Sequence, residues 1–89
     1  MKQNNIDLMA ISHKADQLLA GRGAVNKHDR CTALIYFCIE AGMTDGNNIV
    51  GAVHLMAPEL KHAFIGIKLK KHPKDAFWRK DPDRGYVLN

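Results

Sequence analysis

Three groupings in this 89-residue chain could carry chemistry: His28 with Cys31 and Cys38, His13 with Asp16, and a set of cations after Gly46. A thiolate–imidazole pair needs His and Cys side by side, and the three-residue step from His28 to Cys31 supplies that on a helix. Cys31, however, falls on the apolar stripe of its segment, so a core thiol is expected there and no nucleophile. A structural zinc site wants four ligands in paired close spacings. The chain has no CxxC, and His13, His54, His62 and His72 are scattered, so no metal or other cofactor is expected. A disulfide is not expected either. Seven helical residues separate Cys31 from Cys38 by about 10 Å, and a bridge needs Cα atoms within about 7 Å. His13 and Asp16 read as a surface hydrogen-bonded pair. Gly21-Arg22-Gly23 lacks the preceding strand and third glycine of a phosphate-binding loop. Without a nucleophile, base and orienting group in one place, the expectation is a protein that binds and does not catalyse.

The cations are the stronger signal. Up to Asp45, five bases (Lys2, Lys14, Arg22, Lys27, Arg30) balance five acids. From Gly46 onward, eight bases (Lys61, Lys68, Lys70, Lys71, Lys74, Arg79, Lys80, Arg84) face four acids. The net charge of +4 therefore belongs to the C-terminal half. A one-sided basic surface binds polyanions, because Lys and Arg displace the counterions condensed on phosphates. Solvated lysines are also ordinary solubilising residues, so charge alone decides nothing.

The elements that must position these residues follow from apolar spacing. Asn5 to Ala20 reads as a first helix with Leu8, Ile11, Ala15 and Leu18 on one face, flanked by Ile6, Met9 and Leu19. Asn4 or Asn5 would cap it, and Gly21 would end it in the left-handed region. A second helix runs from Lys27 to Ala41 behind an Asn26 cap, with Asp29 at the positive end of its dipole. Cys31, Leu34, Ile35, Cys38 and Ala41 face one way, which makes it the central core helix. Gly42 stops it. Met43 to Gly46 is a short connection with room for one extended residue pair. Asn47 or Asn48 caps a third, short helix ending near Met56, with Ile49, Val53 and Met56 at helical spacing. Pro58 fits the first turn of a fourth helix, expected over Pro58 to Lys71 because Pro73 forbids continuation beyond His72. Leu60, Phe64, Ile67 and Lys71 would share one face, with Ala63 beside it, giving an apolar stripe three residues long. Lys61, Ile65, Lys68 and His72 would form the opposite, basic stripe, with Lys70 on its flank. The tail reads as a β-hairpin, Phe77 to Arg79 pairing with Tyr86 to Leu88 around a Pro/Asp/Gly turn. An isolated hairpin is marginal, so Trp78, Tyr86 or Leu88 must pack on the helices. Leu34, Phe37, Cys38, Phe64, Ile67 and Trp78 are expected to be mostly buried.

The expected fold class is mainly α: four helices followed by a C-terminal β-hairpin in one domain. The stretches NNIVGAVHLMAPELKHAFIGIKLKKH and FWRKDPDRGYVLN resemble the two-helix unit and wing of a winged helix-turn-helix domain. The resemblance is one of pattern, covers residues 26–89, and names no family within that superfamily. Pro58 in place of a glycine at the break and Gly66 inside the basic helix depart from the pattern. Residues 1–22 would be an N-terminal helical extension suited to dimerisation. The compact, Asn-rich character also resembles small phage or prophage proteins.

The resemblance implies a DNA-binding regulator. The basic helix would lie in the major groove, with Lys61, His62, Lys68, Lys70 and His72 toward phosphates or base edges. Arg79, Lys80 and Arg84 of the wing would reach the backbone or minor groove. Arg is absent from that helix, which points to low specificity or indirect readout. The competing expectation is a protein-interaction module, such as a phage-type inhibitor of a host nuclease or regulator, using the same face. There Ile65 would serve as an exposed apolar contact. A homodimer is reasonable for so small a core. With Thr32 and Cys38 set aside as polar, the longest apolar run is five residues, Ala33 to Phe37, against about 20 for a bilayer span. MKQNNIDLMAIS lacks an apolar signal core, so the expected location is cytoplasmic.

Overall fold

The computed structural model of the chain describes residues 7–21, 26–71 and 77–89. Four helices precede an antiparallel hairpin: α1 Leu8–Ala20, α2 Lys27–Glu40, α3 Gly46–Met56, α4 His62–Lys70, β1 Trp78–Asp81 and β2 Gly85–Leu88. No helix among the described residues is long and apolar enough to cross a membrane.

α1 starts later than its apolar pattern suggests. Asp7 is the cap, and its carboxylate accepts from the Met9 and Ala10 amides at 3.0 and 3.3 Å. The expected caps Asn4 and Asn5 lie outside the described residues. The buried stripe is Ile11, Ala15 and Leu19. Leu18, expected on it, is exposed, and so is Met9. Gly21 sits in the right-handed helical region (φ −77°) and not the left-handed one.

α2 is central, packing on α1, α3, α4 and β2. Asn26 caps it by accepting from the Asp29 amide at 2.9 Å. Cys31, Ala33, Leu34, Ile35, Cys38 and Ile39 are buried on it. Phe37 is only partly buried, and Ala41 lies outside the helix and is exposed. Gly42 closes the helix at φ +110°. The Met43 amide returns to Cys38 O and the Gly42 amide to Ile39 O, satisfying the last carbonyls of the helix.

α3 begins at Gly46, ahead of both Asn47 and Asn48. Asp45 holds its cap position without a side-chain bond. Ile49, Ala52 and Val53 face the core. The break to α4 is a turn closed by Leu60 N→Ala57 O at 2.9 Å, which buries Ala57 and Leu60 completely.

α4 corrects the sequence reading twice. It starts at His62 and not at Pro58, because Leu60 is consumed by the turn instead of a helical face. Its rotation also differs by roughly half a turn. Ile65 and Leu69 are the buried residues, whereas Ile67 is 57% exposed and Phe64 only partly buried. Ile65 therefore belongs to the core and not to the basic face.

The hairpin forms where expected but with its first strand one residue further along. The register is Trp78↔Leu88, Arg79↔Val87, Lys80↔Tyr86 and Asp81↔Gly85, and Phe77, expected opposite Leu88, precedes the strand. Asp81 builds the turn by accepting from the Asp83 and Arg84 amides at 2.8 and 3.1 Å. These two bonds hold the Asp81 carboxyl below the usual carboxylate range. Two contacts fix the hairpin to the helices. The Trp78 indole N–H donates to Leu69 O at 3.1 Å. A helical partner four residues on is excluded for that carbonyl by the sequence itself, because Pro73 has no N–H. The Tyr86 amide donates to Thr44 O at 2.9 Å, tying β2 to the connection between α2 and α3. Gly85 (φ +88°) makes that approach feasible, since a Cβ there would overlap the Thr44 carbonyl oxygen.

Candidate functional site

Docking through Ile65 and Leu69 leaves α4 with an outer crest of Ala63 and Ile67, continued by Lys71 at the end of the helix, all exposed. The helical 100° step assigns the remaining side chains to two flanks. His62, Gly66 and Lys70 face the hairpin; Phe64 and Lys68 face the start of α2.

On the hairpin side lies a cleft of about 650 Å³, lined by Asp45, Gly46, Asn47, His62, Lys70, Lys80 and Tyr86 among others. Lys80 reaches it because strand alternation places it on the inner face with Trp78 and Tyr86. Its ammonium lies 5.5 Å from the centre of the Tyr86 ring. Arg79 projects from the opposite face and sits 3.5 Å from Asp81. Arg84 is exposed at the turn. His62 stacks on His54 with centroids 4.1 Å apart. His54 is itself fixed, its Nδ1–H donating to Leu60 O at 2.7 Å, because a carbonyl can only accept.

On the α2 side, Phe64 is the centre of a second group. The Lys27 ammonium lies 5.2 Å from its ring centre, and the His28 ring packs on it at 5.1 Å. Lys68 Nζ lies 3.5 Å from His28 Nδ1. An ammonium only donates, so Nδ1 accepts and Nε2 carries the ring proton of the neutral imidazole. Lys68 is half-buried here, not displayed on an outer stripe.

The structure thus gathers Lys70 and Lys80 with His62, and separately Lys68 with Lys27 and His28. Lys61 is exposed at the start of α4. Arg79 is directed away, and His72 lies outside the described residues. Lys27 and His28 were not among the residues expected to meet nucleic acid; His28 enters the sequence reading only as a partner of Cys31 and Cys38. No local spacing could have found either residue, since only the packing of α2 on α4 brings Lys27 to Phe64 and His28 to Phe64 and Lys68.

Ion pairing separates this face from the rest of the molecule. Lys14 pairs with Glu40, Arg30 with both Asp16 and Glu59, and Arg79 with Asp81. Asp16 is therefore committed to Arg30 at 3.1 Å and not to the expected partner His13. Among the described residues, Lys27, Lys61, Lys68, Lys70, Lys71 and Lys80 have no carboxylate within ion-pair distance.

Cys31 and Cys38 are free and buried. Burial pushes the Cys38 thiol up to about 12 and the Cys31 thiol up to about 11, the latter against the opposing pull of the Lys68 ammonium. At neutral pH both are thiols, and the thiolate is the reactive form. Among the described residues no three or more His, Cys, Asp or Glu side chains gather as a metal site.

A different surface is apolar. A groove of about 470 Å³ between α1 and α2 is lined by Leu18, Ala33, Tyr36, Phe37 and Phe77, with Asp29 and Glu40 at its margin. Leu18 and Phe77 are 47% and 57% exposed there. Searches against protein families, curated proteins and solved structures return no match to this chain.

Proposed function

We propose that this chain is a small, non-enzymatic nucleic-acid-binding protein that presents α4 and the hairpin to DNA, in the manner of a winged helix-turn-helix regulator. The observation that carries the reading is the distribution of unneutralised charge. Lysines without carboxylate partners surround the exposed crest of α4, while three of the cations elsewhere are paired. Lysines left unpaired are free to replace counterions on a phosphate backbone. The order of α3, a tight turn, α4 and a hairpin docked beside α4 agrees with the winged-helix pattern. Ile67 and Ala63 on the crest suit contact with thymine methyls. The absence of Arg from α4 favours positioning contacts over bidentate reading of guanine.

The test is a mobility-shift titration of random duplex DNA at about 50 and 200 mM salt. With about six phosphate contacts, affinity should fall by roughly 10³ between the two. No shift at low salt with micromolar protein refutes the reading.

A second reading, docking on a partner protein, is favoured by one observation: Ile67 is a large apolar side chain exposed at the centre of the same face. A mainly apolar interface of that kind would change little across the same salt range.

A further inference from the structure

We infer that the start of α2 is a phosphate-contacting flank opposite the hairpin, so that α4 is gripped by both backbones of a duplex. This inference rests on the nucleic-acid reading and extends it to the nature of the target. A single basic stripe would serve any polyanion. Here the cations beside the body of α4 form two groups on either side of Ala63 and Ile67, with Lys71 beyond them at the C-cap. Lys27 and Lys68, with His28, frame the Phe64 edge of α4. Lys70 and Lys80, with His62, line the cleft on its other edge. Ala63 and Ile67 lie between.

That spacing is the width of a helix. An α-helix with its side chains is about 10–12 Å across, and the major groove of B-DNA is about 12 Å wide. A helix that fills the groove brings its two flanks to opposite walls, each edged by one strand's phosphates. The crest then meets base edges, where uncharged side chains do not pay for losing water from a charge. The α2 side is built for this. The ammonium of Lys27 rests near the Phe64 ring, and His28 is held by Phe64 and Lys68. Asp29 in the same turn does not cancel them, because it lines the groove toward Leu18 and Phe77. On the hairpin side Asp45 also lines the cleft, so two lysines and one carboxylate leave that wall cationic by one unit.

The experiment compares the salt dependence of duplex binding, by fluorescence anisotropy, for the full chain and two paired variants. Lys27→Gln with Lys68→Gln removes the α2 flank. Lys70→Gln with Lys80→Gln removes the hairpin flank. Each lysine on a phosphate contributes about 0.9 to the slope of log K against log salt. Each double variant should therefore lower the slope by about two, and the quadruple variant by about four. The unmodified chain should bind duplex more tightly than a single strand of equal length. An unchanged slope in either double variant, or equal binding of single strand and duplex with equal slopes, overturns the two-walled grip. Failure of the unmodified chain to bind any duplex at low salt removes the underlying reading instead. Should Lys68→Gln unfold the chain, Lys27→Gln alone is the deciding variant. Lys27 is exposed at the first position of α2, and the expected fall in slope is about one.

Discussion

Replacing Gly85 by alanine tests how the hairpin is set against the helices. Gly85 has φ +88°, and an added Cβ would overlap the Thr44 carbonyl oxygen while lying 3.2 Å from the Thr44 carbonyl carbon and Cβ. An L-residue in the left-handed region costs about 1–2 kcal/mol. The overlap is with backbone, so no side chain can rotate away. Relief requires β2 to move off Thr44, losing the Tyr86–Thr44 hydrogen bond, worth about 0.5–1.5 kcal/mol net. Alanine recovers about 0.4–1 kcal/mol by stiffening the unfolded chain. The balance is a loss of about 1–3 kcal/mol. Gly42→Ala is the internal control, because it also has positive φ (+110°) but nothing within 4 Å of the added atom. Its backbone can relax, so its cost should be smaller by about 1 kcal/mol, the steric and hydrogen-bond part. In thermal unfolding followed by circular dichroism, that separates the two midpoints by about 4–8 °C. Equal midpoints for Gly85→Ala and Gly42→Ala would show that β2 does not rest on Thr44, and the placement of Lys80 beside α4 would lose its support.

Gly66→Ala, with open space around the added methyl, should stabilise α4 by about 0.5–1 kcal/mol; a lower unfolding midpoint contradicts the helix assignment. Leu34→Ala, at a fully buried site on the central helix, should cost about 2–5 kcal/mol in urea unfolding, and a near-neutral result would displace α2 from the core. Cys31 and Cys38 should resist a thiol reagent at pH 8 in the folded protein and react on denaturation. Their thiols are raised in the fold, so the protonated state is favoured there. Their contribution to stability is full below about pH 9 and is lost as pH rises through about 11 to 12. Rapid labelling of the native chain at pH 8 would refute their burial.

The sequence carried the order of elements well where local chemistry is decisive. Asn26 and Gly42 bracket α2 because a cap and a positive-φ residue act within one turn. The existence of the hairpin follows from aromatic strands on either side of a Pro/Asp/Gly turn, but its register does not. Pairing starts at Trp78 and not at Phe77, because Asp81 belongs to the first strand and also builds the turn. α4 was misread because it offers two apolar stripes. Leu60, Phe64 and Ile67 compete with Ile65 and Leu69, and spacing cannot say which one meets α2 and α3. Leu60 tipped the choice wrongly, being buried by a turn rather than by a helix face. That half-turn of rotation moved Lys68 from a displayed stripe to a joint with His28 and made Ile67 the crest. The α2 flank of the candidate site was illegible for a related reason: Lys27 and His28 reach Phe64 and Lys68 only through tertiary packing.

Trp78 is the chain's single tryptophan, and its indole is clamped between the end of α4 and the first strand of the hairpin. The joint therefore carries its own optical label. Emission from the native chain should be blue-shifted, as befits a ring that is 4% exposed. It should stay so when a ligand rides on the outer face of α4 with the hairpin in place. A red shift on binding would register the hairpin lifting from the helix, with no added dye.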